Sequence, residues 1–274
     1  MLLSYQFFQY ALLGAVLTSV LCAVMGTFMV TRRTVIASGG MAHASLGGVG
    51  LGAYCGFSPL LGAALFAVAS GFGIKWLEHR GRVRSDSAIA ILWTFGMAVG
   101  ILLAYLTPGF MTDLPAYLFG DILSITPLGL LSLGALTAIV LLLYAWQGRT
   151  WVFVACDAHF ARTQGLPVAF IEALLTVLTA LTIVCCLQVA GIVMVVSLLS
   201  VPQTTAALFA RTFRAIVWLS AAFSFAGCLG GLLLSYYADV PAGATIILVS
   251  ITIYAICRLT KSGAKAIKKH YQSS

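Results

Sequence analysis

The chain is a succession of long apolar runs separated by short polar turns. A helix needs about 20 apolar residues to cross the hydrocarbon core of a bilayer. Only 8% of the residues are charged, against roughly 25% in soluble domains. The sequence therefore excludes a water-soluble globule and predicts an all-α integral membrane protein, a polytopic bundle of eight or nine transmembrane helices. The predicted spans are 7–31, 44–56, 59–78, 87–106, 128–146, 168–187, 190–209, 216–236 and 242–258.

The second run, 44–56, is the shortest and carries glycine at Gly47, Gly48 and Gly50. Glycine lets two helices approach closely inside a membrane. This run therefore predicts a broken or tilted helix packed within the bundle, and it decides between eight and nine spans. We expect residues 1–258 to form a single transmembrane domain and 259–274 a basic cytoplasmic tail.

The basic residues follow every second predicted span. With nine spans, all fifteen Lys and Arg residues lie on one side of the membrane, which the positive-inside rule makes the cytoplasmic side. The N-terminus is then outside and the C-terminus cytoplasmic. The net charge of +8 therefore reflects membrane topology and contact with anionic lipid, and we expect no nucleic-acid partner.

The seven cysteines of the chain lie mostly inside apolar runs, without CxxC spacing. Free cysteine behaves as a small hydrophobic residue when it is buried. We therefore interpret the cysteines as core residues.

A series of segments resembles one family over nearly the whole chain. Arg32 and Arg33 precede Gly39, His43 and the glycines of the second run. The later segments, in the family's order, are 86–92, 117–123, 157–165, 191–206 and 239–243. Together they resemble the permease subunits of bacterial ABC importers for zinc, manganese or iron. The resemblance implies an importer-permease fold and a homodimer in the bacterial inner (plasma) membrane. It also implies two partners, a cytoplasmic ATP-binding-cassette ATPase dimer and an external metal-binding solute-binding protein.

His43 lies at the edge of a predicted span and offers an imidazole nitrogen, a ligand suited to divalent zinc, manganese or iron. An ionisable residue within a membrane is a candidate functional residue by default, although a structural hydrogen bond is the alternative. With the resemblance we assign His43 to the transport pathway. The family has an aspartate four residues earlier, where this chain has Gly39. Candidate replacement ligands are Asp113, Asp121, Asp239 and thiols such as Cys55; for the aspartates, capping or loop roles are the alternative.

The segment 157–165 starts with an acid and ends at Gly165-Leu166-Pro167, which predicts a short surface helix. In the family such a helix docks into the ATPase. The resemblance therefore implies an ATPase-coupling surface, whose alternative is an ordinary interfacial helix. Its residues are Asp157, Phe160, Ala161, Arg162 and Gly165.

Pro202 lies inside the seventh predicted span and is followed by Gln203, Thr204 and Thr205. Proline removes a backbone donor, and polar side chains can pair with the freed carbonyls. We expect a kink, which is either a moving hinge or a static feature. Glu172 lies near the inner end of the sixth span. It must reach the membrane interface or pair with another group inside the bundle, because an isolated carboxylate in lipid is costly.

The sequence contains no P-loop, GxSxG or HExxH pattern. We therefore expect no catalytic site and no permanently bound cofactor; the divalent metal is cargo, and a partner subunit hydrolyses ATP. An ion-coupled secondary metal transporter or channel is the alternative function. In it, Glu172 and the outer aspartates would move protons or ions without an ATPase, and the predicted 157–165 helix argues against it.

Overall fold

The computed structural model describes residues 6–109, 120 and 125–272, apart from the side chains of Gln188 and of 263–272. All regular elements in these ranges are helices. They are α1 (Gln6–Thr31), α2 (Val35–Cys55), α3 (Pro59–His79), α4 (Ser85–Leu106), α5 (Pro127–Cys156), α6 (Ala158–Thr163), α7 (Val168–Leu198), α8 (Val201–Phe209), α9 (Phe213–Ala238) and α10 (Ala242–Gln272).

The prediction of a polytopic helical membrane protein is confirmed. In the described ranges, eight segments are long and apolar enough to cross a membrane, and α7 and α8 together supply two of them. Helix α2 is not among the eight, but its 21 residues span about 30 Å at 1.5 Å per residue. It is the ninth helix of transmembrane length, and its glycines account for its weaker apolar signal.

Helix α2 begins at Val35, nine residues before the predicted run, and it is continuous instead of broken. Its glycines pack directly on neighbouring backbones, as the run predicted. A Cβ atom on Gly48 would lie 2.0 Å from the carbonyl oxygen of Gly62 in α3, and one on Gly50 would lie 2.5 Å from that of Gly100 in α4. These contacts make α2, α3 and α4 one tightly packed group.

The remaining long helices form a second group around α1. Helix α1 packs against α5 and α9, α9 packs against α10, and α8 packs on α9 and α10. Helix α7 contacts α2 and α3 of the first group and α1, α5 and α10 of the second. The two groups are therefore joined mainly through α7.

Helix α7 is interrupted at Gly191, whose φ of 66° and ψ of 166° are non-helical. This backbone region is open essentially to glycine alone. The backbone of Gly120 packs against the same point, because a Cβ there would lie 2.2 Å from the Gly191 nitrogen. The interruption lies at the predicted junction of the sixth and seventh spans.

Helix α10 continues to Gln272. The expected division between a membrane domain and a tail at 258/259 therefore does not coincide with the end of a helix. Helix α5 also exceeds its predicted span and reaches Cys156, so Arg149 lies within a helix and not in a loop.

Candidate transport pathway

His43 lies in the middle of α2, half-buried, against α4. Its ring stacks on Trp93 with 4.3 Å between ring centroids and 11° between ring planes. The indole N–H of Trp93 donates to the sulfur of Met97 at 2.9 Å, which fixes the plane on which the imidazole rests. The His43 Nδ1 atom is buried and has no hydrogen-bond partner among the described residues. An unpaired buried polar atom is costly, so this nitrogen is available to a ligand.

Position 39, one turn before His43, has room for a Cβ atom. A Cβ on Gly39 would meet only the methyl groups of Val196 in α7, each at 3.9 Å. By contrast, a Cβ on Gly40 would lie 2.6 Å from Cγ2 of Ile89 in α4. The packing that requires glycine at position 40 does not require it at position 39.

A cavity of about 790 Å³ opens between the ends of α1, α2, α3, α4 and α7. Ile36 and Ile89 line it. On α2, Ile36, Gly40 and His43 share one face by helical spacing, as Ile89 and Trp93 do on α4. Along α4, the cavity therefore ends one turn before the His43–Trp93 stack. The contact of Ile89 with Gly40 closes the seam between α2 and α4 that separates the cavity from this stack.

The charged side chains that line the cavity are mostly basic. Five bases face three acids: Arg32, Arg33, Lys75, Arg84 and Arg162 against Glu78, Asp86 and Glu172. The sequence assigned all five bases to one side of the membrane, and they surround one opening.

Glu172 finds its partner in this cavity. Its carboxylate forms an ion pair with Arg32 of α1, and both side chains are less than a third exposed, at 21% and 25%. The Lys75 ammonium of α3 donates to the backbone oxygen of Glu172 at 3.1 Å. These contacts tie α1, α3 and α7 together at the cavity, in agreement with the expectation that Glu172 must be paired.

The other candidate metal ligands do not gather around His43. Asp113 and Asp121 lie outside the described residues. Asp239 is exposed in the turn between α9 and α10, with φ of 53°. These two helices pack mainly on each other and on α1, α7 and α8, whereas α2 packs mainly on α3, α4 and α7. Cys55 ends α2, twelve residues from His43 and so about 18 Å along the axis. Within the described chain, no three His, Cys, Asp or Glu side chains form a metal-binding group.

The predicted surface helix is α6. The Asp157 carboxylate accepts a hydrogen bond from the backbone N–H of Phe160 at 2.9 Å and so caps the helix, and Gly165 ends it with φ of 74°. Phe160 and Arg162 are exposed, but Ala161 is fully buried. Ala161 therefore seats α6 on the bundle and does not belong to the exposed surface on which the sequence placed it.

Pro202 is not in the interior of a helix, where the sequence placed it. Helix α7 ends at Leu198, and Pro202 lies in the first turn of α8, where a missing backbone donor costs no hydrogen bond. Gln203 is fully buried, and its amide donates to the carbonyl oxygens of Cys22 at 2.8 Å and Leu198 at 2.9 Å. The break between α7 and α8 is thus filled by a side chain that binds α1.

Sequence reasoning alone did not identify Trp93, Arg32 or Lys75 as part of this region. Trp93 directly follows the 86–92 segment, so its position beside a family motif was the available signal. Arg32 belongs to a family segment too, but nothing in the sequence linked Arg32 or Lys75 to Glu172, because the three residues come from separate helices.

Helices long enough to span a membrane that surround a basic cavity, with a short surface helix beside it, are the architecture of a membrane transport subunit. The chain belongs to the ABC 3 transport family, whose model matches residues 4–261. In this class the ATPase is a separate subunit.

Known proteins similar to this chain match it over nearly their full lengths. One is an uncharacterized membrane protein of Synechocystis, 36% identical over 93% of this chain and 90% of that protein. Another is the manganese transport system membrane protein MntC of Halalkalibacterium halodurans, 34% identical over 93% and 87%. The solved structure of PsaBC from Streptococcus pneumoniae in complex with Fab matches with a TM-score of 0.86 and 29% identity, covering 93% of this chain and 92% of that one.

Proposed function

We propose that this permease carries a divalent transition-metal ion, manganese, zinc or iron, inward across the bacterial inner membrane. The similarity to a manganese transport system membrane protein and to a probable iron transport system membrane protein of Haemophilus influenzae, 29% identical over 93% of each chain, supports this cargo class. The family membership argues against the alternative of an ion-coupled secondary transporter, because an ABC permease works with an ATPase subunit.

The observation that carries the proposal is the free Nδ1 atom of His43. His43 is the residue that the family resemblance assigned to the pathway, and its Nδ1 atom is buried without a hydrogen-bond partner in the described chain. A neutral imidazole suits zinc and iron among these metals, whereas manganese prefers oxygen ligands. A single protein ligand binds weakly, which suits a transient site because permeation requires release as well as binding.

The route from this site leads along the α2–α4 seam to the basic cavity. The contact of Ile89 with Gly40 closes that seam, so the path opens when α4 moves away from α2. The lining of the cavity has more bases than acids, so it repels a cation. This repulsion promotes release of the metal ion. The ion pair of Arg32 with Glu172 holds α1 and α7 together at the mouth of the cavity and acts as the inner gate.

The ATPase-coupling surface is the exposed part of α6. Phe160 supplies an apolar contact with half of its side chain exposed, and Arg162 supplies a charge that also faces the cavity near Glu172. On this proposal, the contact for the ATPase dimer lies next to the inner gate. The cavity side is then cytoplasmic, the solute-binding protein binds the opposite side, and the permease functions as a homodimer with the N-terminus outside.

The test is ATP-dependent uptake of manganese, zinc and iron into vesicles that contain the permease with its ATPase and binding protein. His43→Ala should abolish uptake of the transported metal while leaving the amount of inserted protein unchanged. His270→Ala, in the basic terminal segment, is the matched control and should transport normally. Normal uptake by the His43→Ala variant would remove His43 from the pathway, and uptake without ATP would contradict the proposed importer.

A further inference from the structure

The indole of Trp93 lies flat against one face of the His43 imidazole, across the contact between α2 and α4. The two ring planes differ by 11° and the ring centroids are 4.3 Å apart, and both side chains are half-buried. Directly beside this pair, Gly96 of α4 packs on the backbone of α2, since a Cβ there would lie 2.5 Å from the Cα atom of Ala44. The two rings are therefore held at stacking distance by the close approach of their helices.

The indole presents its face to His43, and its only hydrogen-bond donor is engaged elsewhere. The N–H group of Trp93 donates to the sulfur of Met97 at 2.9 Å, four residues further along the same face of α4. A tryptophan side chain has no second donor that could reach the imidazole. The Nδ1 atom of His43 is buried without a hydrogen-bond partner in the described chain. The stack thus orients the imidazole without occupying this nitrogen.

A stacked indole also favours the metal-bound form of the imidazole. When Nδ1 binds a divalent ion, the imidazole ring shares the positive charge of that ion. The face of an aromatic ring is negative, and tryptophan is the aromatic residue that best attracts a cation within about 6 Å of its ring centroid. The imidazole lies within that distance, at 4.3 Å. Contacts of this kind correspond to about two- to thirtyfold in affinity.

The stack depends on the position of α4. Ile89 lies one turn before Trp93 and closes the seam against Gly40 of α2. A movement of α4 that withdraws Ile89 from Gly40 also withdraws the indole from His43, because both side chains belong to one helix. The ion then loses the aromatic contact in the same step that opens its path to the cavity.

We propose that Trp93 is a positioning residue for the transported ion. It holds the His43 imidazole with Nδ1 open, strengthens metal binding while the α2–α4 seam is closed, and weakens the site when α4 moves away. This inference rests on the proposed function of His43 as the pathway ligand. Because Trp93 offers no ligand atom, it acts on the affinity of the site and not on the choice of metal.

The experiment is a calorimetric titration of Zn²⁺ into the purified permease in lipid nanodiscs, with the exposed cysteines Cys55 and Cys156 replaced by serine. Trp93→Leu keeps an apolar side chain without the aromatic face, and we expect about two- to thirtyfold weaker binding of Zn²⁺. Trp93→Phe restores an aromatic face and should recover most of the loss. The control Trp218→Leu removes a tryptophan that is 77% exposed on α9 and should leave the affinity unchanged.

A spectroscopic measurement separates this role from simple packing. Zn²⁺ should change the tryptophan fluorescence of the permease, and the change should be absent in both Trp93→Phe and His43→Ala. A side chain that only fills space would lower the melting temperature when it is replaced by leucine, but the zinc affinity of the folded variant would stay the same.

The outcomes distinguish this inference from the proposed function. Unchanged zinc affinity in a folded Trp93→Leu variant, together with lost binding in His43→Ala, overturns the role of Trp93 and leaves the pathway site in place. An unchanged titration in His43→Ala removes the ion from His43 and overturns both. If Trp93→Leu does not fold, a fluorescence response to Zn²⁺ that persists in Trp93→Phe overturns the inference.

Discussion

Replacing Gly39 with aspartate should create the carboxylate–histidine pair that this chain lacks. Residues four apart on a helix lie on the same face, with Cβ atoms about 5–6 Å apart, so one ion can bind both side chains. The packing admits the new Cβ atom, which meets only the methyl groups of Val196 at 3.9 Å. The free Nδ1 of His43 would provide the second ligand.

The expected gain in metal affinity can be sized from other metal sites in which a weaker interaction was removed. Removing an outer-shell partner costs about 10- to 100-fold in metal affinity. A directly bound carboxylate should therefore add at least about tenfold, which is about 1.4 kcal/mol. Position 39 is buried, and without metal the new carboxylate has no cationic partner there, so we expect the melting temperature of the metal-free variant to fall.

The assay is calorimetric titration of Mn²⁺ and Zn²⁺ into the purified permease and its Gly39→Asp variant. Gly39→Asn has nearly the same shape without the charge and is the matched control, for which we expect little gain. The gain should disappear in the Gly39→Asp/His43→Ala double variant. A gain that survives loss of His43, or no gain in a folded Gly39→Asp variant, would refute the placement of His43 at the ion pathway.

Four further outcomes follow from the packing. Gly48→Ala puts a methyl group 2.0 Å from a backbone oxygen. The free energy of unfolding in detergent should therefore fall by about 1–3 kcal/mol or more, seen as a lower melting temperature. Glu172→Gln leaves Arg32 without its partner at the cavity and should cost about 1–2 kcal/mol, below a fully buried pair because both side chains are partly exposed. Gln203→Leu removes both hydrogen bonds across the α7–α8 break and should cost about 2–3 kcal/mol in thermal denaturation. Arg162→Glu should reduce ATPase stimulation in the assembled transporter without lowering permease stability.

The first three of these outcomes each have a control in the same chain. Gly39→Ala should hold or raise the melting temperature, since alanine is favoured over glycine in a helix by about 0.5–1 kcal/mol. The swapped pair R32E/E172R should recover part of the loss seen with Glu172→Gln. Thr204→Ala, at an exposed position beside Gln203, should change stability little. If a control lost as much stability as the variant that it accompanies, the assigned contact would be contradicted.

The coupling helix shows how much a local pattern can predict. Asp157 and Gly165 mark the start and end of α6 because capping and left-handed termination depend on neighbouring residues along the chain. The burial of Ala161 was not predictable in this way, since it depends on the surface against which α6 rests. In the same manner, Pro202 and the polar residues after it predicted a kink inside one helix, but the end of α7 at Leu198 and the partner of Gln203 on α1 did not follow from them.

By itself, the sequence determined the helical membrane class, the approximate spans, the one-sided distribution of bases and the membership of His43 in a family motif. These properties follow from hydropathy and from residues close together in the chain. Only the tertiary structure decided that His43 stacks on Trp93, that Glu172 pairs with Arg32 and that Gln203 binds the backbone of Cys22. Each of these contacts depends on how helices distant in sequence rotate and cross, and close approaches between glycine backbones set those crossings in the α2–α4 group.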